Sequence, residues 1–274
     1  MCIRDSLRGE NEMKGKNLLK KTVLLTVALA MVVGVTACGQ KKNYDSKDKK
    51  TYVVGTEPTF APFDTTDADG NIVGFDMDLM KAIGKDQGFD VEFKSFGFDA
   101  LIPAVNAKNC DVIAAGMTAN EDRVKKVDFS NTYYDSGNAV LVKSDNTTIK
   151  GIDDLTPDMT VAVQIGTTGA DKANELKEQG KIKDVKVNDG VDTCLLQVKN
   201  GDVDALIIDK PVADRAVKAN KAFKTVGETL DAESYAFAVA KGDKELLEKI
   251  NKGLENIKKD GTYEKLYKKW FEGK

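Results

Sequence analysis

The residues most suited to chemistry lie between positions 111 and 123, in the order Asp-Val-Ile-Ala-Ala-Gly-Met-Thr-Ala-Asn-Glu-Asp-Arg. Val112, Ile113, Ala114 and Ala115 form a short apolar run that reads as a buried strand, and Gly116 ends it where the backbone must turn or lie open. Thr118 and Glu121 have capping-box spacing, which predicts a helix start with Arg123 in the first turn. A carbonyl, a hydroxyl, free backbone N–H groups and a guanidinium then meet at one strand end. Such a set can hold a zwitterion.

Composition narrows the alternatives. The 274 residues include no histidine, which removes the commonest general base and metal ligand, and with it Ser-His-Asp, Cys-His and His-zinc chemistry. Cys2, Cys38, Cys110 and Cys194 include no close pair, so no cysteine metal site is expected, and Cys110 and Cys194 read as free buried thiols. Gly166-Thr167-Thr168-Gly169 is a glycine-rich turn into a helix, but GxxxxGK[ST] is absent and no nucleotide reading follows. No cofactor and no metal are implied.

The elements that must position these groups follow from periodicity. A strand at residues 52–55 leads into Thr56-Glu57-Pro58-Thr59-Phe60-Ala61-Pro62-Phe63, an odd mixture of acid, prolines and aromatics for a plain connection. A helix follows Gly74, with Phe75, Leu79, Ala82 and Ile83 on one face and Gly88 as its stop. Strands are predicted at 91–93, 139–142, 160–164, 185–187, 224–226 and 235–240. Helices are predicted at 99–107, 151–155, from the 166–169 turn to near Gly180, at 192–199, from Pro211, at 244–259 and at 262–271. Residues 105–116 and 198–209 align without a gap, each reading helix end, polar turn, aspartate, buried strand. Two similar α/β lobes explain that repeat, with Gly116 and Asp209 each at the carboxyl end of a strand, where ligands of open α/β sheets bind.

The N-terminus carries a targeting pattern. Lys14, Lys16, Lys20 and Lys21 precede the uncharged, mostly apolar stretch 22–37 and then Cys38. That run is shorter than the ~20 residues of a spanning helix, so it reads as a secretory signal. Val35-Thr36-Ala37-Cys38 resembles the bacterial lipobox, which makes Cys38 the expected lipidated N-terminus; an ordinary cleaved signal is the alternative. Residues 1–12 carry the wrong charges for a signal start and read as an upstream extension, with residues 13–37 the signal peptide and 38–50 a polar tether. Removing residues 1–37 takes away more basic than acidic residues, leaving a body more acidic than the formal −3 of the whole chain, which argues against nucleic acid.

From Tyr52 to the C-terminus the chain resembles the solute-binding proteins of polar amino-acid ABC uptake systems, family 3 of the bacterial extracellular solute-binding proteins. Gly74-Phe75-Asp76-Met77-Asp78-Leu79 with Ile83 and Gly84 follows that family's signature, with Gln87 a departure from it. Phe98, Leu101-Ile102-Pro103-Ala104, Ala115-Gly116-Met117-Thr118, Arg123 and Val127-Asp128-Phe129-Ser130 follow its central block. Gly261-Thr262-Tyr263 and Lys268-Lys269-Trp270-Phe271 resemble its ending.

The resemblance implies an α/β, two-lobed periplasmic-binding-protein fold of type II, with two hinge crossovers and the ligand in the interlobe cleft. Lobe one would be residues 50–134 plus 237–274, lobe two residues 138–232, and the hinge residues 134–137 and 233–237. Arg123 would pair with a ligand α-carboxylate, assisted by Thr118 and Thr168, while Gly116 and Asp209 would take the α-ammonium. Phe60 and Phe98 would sandwich the ligand side chain, and Glu57 and Gln164 would face its end. Each has a plainer alternative: a surface ion pair for Arg123, helix caps for Thr118 and Asp209, core packing for the phenylalanines.

An acid beside an amide suits a neutral polar or cationic side chain, so glutamine or a basic amino acid is the expected ligand. The implied protein is a monomeric, lipid-anchored receptor outside the bacterial cell membrane that delivers its ligand to ABC permease transmembrane subunits, performs no catalysis and binds no nucleic acid. The rivals are a dehydratase on the same fold with Glu57 as its acid, and an amino-acid sensory module.

Overall fold

The computed structural model describes residues 50–273. The expected extension, signal peptide, lipidated Cys38 and most of the tether lie outside the described residues. Among the described residues, no helix is long and apolar enough to cross a membrane.

Strand β1 (Thr51–Thr56) runs into three short strands, β2 (Thr59–Phe60), β3 (Asp64–Thr66) and β4 (Ile72–Val73), which pair antiparallel. Helix α1 (Phe75–Gln87), strand β5 (Asp90–Ser95), helix α2 (Leu101–Asn106), strand β6 (Val112–Ile113), the one-turn helix α3 (Glu121–Val124) and strand β7 (Val127–Phe129) follow. Strand β8 (Tyr134–Lys143) carries the chain into a second sheet. There β9 (Thr160–Gln164), α4 (Thr168–Glu178), β10 (Asp184–Asn188), α5 (Val191–Asn200), β11 (Ala205–Asp209) and α6 (Lys210–Ala219) alternate. Strand β12 (Phe223–Tyr235) leads back to β13 (Ala238–Ala240) in the first sheet, and helices α7 (Lys244–Lys259) and α8 (Thr262–Tyr267) close the chain.

The two sheets share one plan. The first has the order β5-β1-β6-β13-β7 and the second β10-β9-β11-β8-β12. In each, three parallel strands are followed by antiparallel partners. Both sheets are covered on both faces, so neighbouring strand residues enter different cores. Val112 packs with Phe63, Phe75, Leu79 and Ile250, whereas Ile113 packs with Phe98, Leu101 and Met117. This is why the central strands appear in the sequence as continuous apolar runs rather than alternating ones. The repeat read between 105–116 and 198–209 is real in the fold: it spans α2 to the end of β6, and α5 to β11.

One part of the strand reading is corrected. The expected strands 224–226 and 235–240 are instead a continuous β12 followed by a separate β13. The intervening residues include Gly227, Glu228, Asp231 and Glu233 and lack an apolar period, so only the ladder with β8 makes them a strand. The same ladder extends β8 back to Tyr134, because Tyr134, Asp135 and Ser136 pair with Tyr235, Ser234 and Glu233. The two passages of the chain between the sheets are thus one antiparallel ribbon.

Candidate functional site

The parallel strands of both sheets aim their carboxyl ends at a common cleft. Glu57 follows β1, Gly116 follows β6, and Gln164 and Asp209 are the last residues of β9 and β11. Of the residues singled out in the sequence, Phe60, Phe98, Gly116, Thr118, Arg123, Gln164, Thr168 and Asp209 line one cavity, together with Thr167. Glu57 joins them through its Oε2, which accepts from Gln164 Nε2 at 3.0 Å. The cavity between these groups is about 10 Å³, room for roughly one water. A much larger space of about 530 Å³ lies on the other side of Phe98 and Arg123, against Asp99, Met117, Asn120 and Gly166. The buried polar side chains Thr118, Arg123, Gln164, Thr167 and Asp209 nonetheless converge on the small cavity.

Arg123 is held in place from several sides. Its Nη1 donates to the Thr118 carbonyl at 2.9 Å and its Nη2 to the Gly166 carbonyl at 3.0 Å, with the guanidinium 5.3 Å from the centre of the Phe98 ring. Gly166 belongs to the turn after β9, so this bond joins the two halves of the cleft, as does the bond from the Val191 N–H to Thr59 Oγ1 at 3.0 Å. Burial pushes the guanidinium below its usual pKa, while Asp209 and Glu233 pull it back up. Two of its five N–H donors are used by these carbonyls, and the fork retains capacity for an anion.

The expected capping box at Thr118 and Glu121 is not formed. Helix α3 begins three residues later than Thr118, and Asn120, in extended conformation, is its cap, with Oδ1 accepting from the Arg123 N–H at 3.0 Å. Thr118 pairs instead as a β-bridge with Tyr235, and its hydroxyl donates to Glu233 Oε2 at 2.8 Å. At the other turn the helix start is as read. Thr167 caps α4 by accepting from the Ala170 N–H at 3.1 Å, leaving Thr168 at the first helical position facing the cavity.

Gly116 has φ +54°, and a Cβ there would lie 2.6 Å from the Phe60 ring, so only glycine fits. Its N–H donates to Asp76 Oδ2 at 2.8 Å, which also accepts from the Tyr133 hydroxyl at 2.6 Å. Asp64 does the same for the neighbouring strand end: its Oδ2 accepts from the Glu57 N–H at 3.1 Å and from the Thr56 hydroxyl. Both aspartates are fully buried, and the Oδ1 of each has no partner. Burial pushes Asp76 up to about 7 and Asp64 well above the usual carboxylate range, where repulsion from Asp76 adds to the effect.

Asp209 occupies the N-cap position of α6 yet makes no cap bond; its Oδ1 accepts from the Tyr235 hydroxyl. Burial, with the Glu233 charge second, raises it to about 7. Glu57, raised by burial, accepts from Thr59 Oγ1 at 2.8 Å as well as from Gln164. Phe60 lines the cavity and Phe63 is buried in an aromatic core with Phe75, Tyr134, Tyr235 and Phe271. Cys110 and Cys194 are buried and unbridged.

Sequence reasoning missed Asp64, Asp76, Asn138, Glu233 and Tyr235. Asp76 sits within the signature around Gly74 and could have been found there; Glu233 and Asn138 carry no local signal.

Known proteins resemble this chain over nearly all of the described residues. The family model of bacterial extracellular solute-binding proteins, family 3, matches residues 52–273. The arginine-binding extracellular protein ArtP of Bacillus subtilis is 35% identical over 257 residues, covering 93% of this chain and 99% of the relative. An ancestral arginine-binding protein solved with arginine is 47% identical with a TM-score of 0.77, covering 81% of this chain and 99% of that one. Its complex with glutamine is 46% identical with a TM-score of 0.77, covering 82% and 99%. An ancestral amino acid-binding protein described as a precursor of cyclohexadienyl dehydratase is 42% identical with a TM-score of 0.76, covering 81% and 95%.

The buried acids make stability depend on pH in a definite direction. A carboxyl raised on folding, from 3.8 to about 7 for Asp76, binds more protons folded than unfolded, so its contribution is fully present below the unfolded value and is lost as pH rises through the folded one. Urea unfolding at intervals from about pH 4 to about pH 8 should show stability falling with pH. Asp76→Asn, which keeps an acceptor but cannot ionise, should flatten that fall; an unchanged slope would remove Asp76 as its source.

Proposed function

Since the chain belongs to the bacterial extracellular solute-binding proteins of family 3, we propose that it is an extracytoplasmic receptor for a basic L-amino acid, arginine foremost, serving an ABC importer. The observation that carries this reading is the cleft itself. A guanidinium and a helix N-terminus stand on one side, Asp209 and the Gly116 strand end on another, and a buried acid and amide, Glu57 and Gln164, at the far end.

In this reading Arg123 and the Thr168 turn take the α-carboxylate, since a guanidinium fork and free N–H groups at a helix start both suit an anion. Asp209 and the Gly116 carbonyl take the α-ammonium. Phe60 and Phe98 flank the side chain. Glu57 receives its charged end, because a buried acid meets a cation at far less cost than it meets an uncharged group. Glutamine fits the same end through Gln164, more weakly. The lobes, 50–134 with 237–274 and 138–232, part and close about 134–137 and 233–237, breaking and remaking the Arg123 and Gln164 bonds across the cleft. Anchoring through lipidated Cys38 and a monomeric state complete the proposal.

Catalysis is not part of this reading. The raised carboxyl of Glu57 is the group a dehydratase would use as its acid, and the likeness to a dehydratase precursor keeps that reading testable: turnover of arogenate or prephenate above buffer would support it.

Calorimetric titration with the twenty amino acids should find arginine or lysine tightest, and no heat with any of them would end the proposal. Arg123→Ala should weaken binding by about a hundredfold or more with the fold retained by circular dichroism; retained affinity would refute the carboxylate assignment. Glu57→Gln should cost basic ligands about tenfold more than it costs glutamine, read as a changed ranking in a thermal-shift screen. Because an ammonium stabilises the ionised form of Asp209, raised to about 7, binding should release protons near neutrality and weaken as pH falls below that value. Titration in buffers of different ionisation enthalpy measures the release.

A further inference from the structure

Glu233 lies in the ribbon between the sheets, paired with Ser136, where no ligand-binding role was expected. Its two carboxylate oxygens are used separately. Oε2 accepts from Thr118 Oγ1 at 2.8 Å, and Oε1 accepts from Asn138 Nδ2 at 2.9 Å. Asn138 Nδ2 also donates to Thr168 Oγ1 at 3.2 Å. One side chain is therefore connected to two of the threonines that line the cleft, Thr118 and Thr168, one from each half.

The direction of each bond decides what each hydroxyl can offer. A hydroxyl has a single hydrogen and two lone pairs. A carboxylate only accepts, so Thr118 spends its hydrogen on Glu233 and presents lone pairs to the cleft. An amide nitrogen only donates, so Thr168 receives from Asn138 and its own hydrogen stays free to be given. The amide cannot be turned round, because its nitrogen faces a carboxylate oxygen. Asn138 is buried with Oδ1 unpartnered, toward Gly169, where an added Cβ would lie 3.2 Å from it.

We infer that Glu233 is a positioning residue that sets opposite hydroxyl polarities at the two threonines, making Thr118 an acceptor for an ammonium and Thr168 a donor for a carboxylate. The inference rests on the proposed amino-acid binding and deepens it. The cleft then discriminates the two ends of a zwitterion through a residue that touches neither. Glutamine has the same shape but a single acceptor oxygen, so it satisfies one branch and reverses the other.

The test is Glu233→Gln, titrated with L-arginine by calorimetry beside the parent protein. Binding should weaken by about tenfold or more, the range of a hydrogen bond to a charged group, with the ligand-free protein still folded by circular dichroism. The same substitution is then made in the Thr118→Val and Thr168→Val backgrounds, where its effect should shrink in at least one, because the hydroxyl it acts through is gone. Full parental affinity in Glu233→Gln overturns the inference, and so does a loss undiminished in both valine backgrounds, which would mark Glu233 as a strut. A parent that binds none of the twenty amino acids instead refutes the proposed function, so the two failures are distinct.

Discussion

Charge held out of water is the constraint on which this structure turns. Glu57, Asp64, Asp76, Arg123 and Asp209 are all buried; Glu57, Asp64 and Asp209 stand at or beside strand ends, and Asp76 and Arg123 in the helices α1 and α3. Taking an ionisable group out of water costs several kcal/mol unless partners replace the lost hydration or the group gives up its charge. Here both happen: the acids are raised by burial, and each of these side chains is tied to backbone, hydroxyl or amide groups of another segment. Those ties fix the loops. Asp76 holds the Gly116 peptide, Asp64 holds the Glu57 peptide, Tyr235 holds Asp209, and Arg123 is gripped by carbonyls from both halves of the cleft. The groups that could meet a ligand are therefore preset, and a ligand's own charges would replace bonds already made rather than organise free loops.

The same constraint reaches into the ribbon that joins the sheets. Tyr235 bonds Asp209, stacks on Tyr134 at 5.8 Å, and lies edge-on to Phe63 at 5.0 Å; Tyr134 stacks in turn on Phe271 at 5.1 Å. Aromatic contacts of this kind add about 0.5–1.5 kcal/mol each beyond simple burial. They fasten the ribbon to the C-terminal segment that packs on the first sheet. Beyond this cluster the ladder between β8 and β12 is irregular from Val226 to Glu233. Packing and polar satisfaction thus meet at one place in the chain.

Much of this was legible in the linear order of residues. Short apolar runs ending in Gly116 and Asp209 identified the central strands, and the gap-free repeat showed that one supersecondary unit is used twice. Thr118 illustrates the limit. Its spacing to Glu121 satisfies the capping-box pattern, but Asn120 competes locally and wins, and Thr118 is drawn to a partner more than a hundred residues away. Strand β12 illustrates another: with no apolar period of its own, it exists because β8 lies beside it.

By itself, the sequence determined what is set by local chemistry: the alternation of strands and helices, the glycine that ends the apolar run at 112–115, the residue types able to hold a zwitterion, and the absence of histidine. Tertiary structure alone decided which of those groups are buried, which acids are raised toward neutrality, and which way each hydroxyl points. The reason is physical. Desolvation and hydrogen-bond polarity depend on what surrounds an atom in three dimensions, and the partners that settle them, Asp76 for Gly116 and Glu233 for Thr118, are brought there only by the fold.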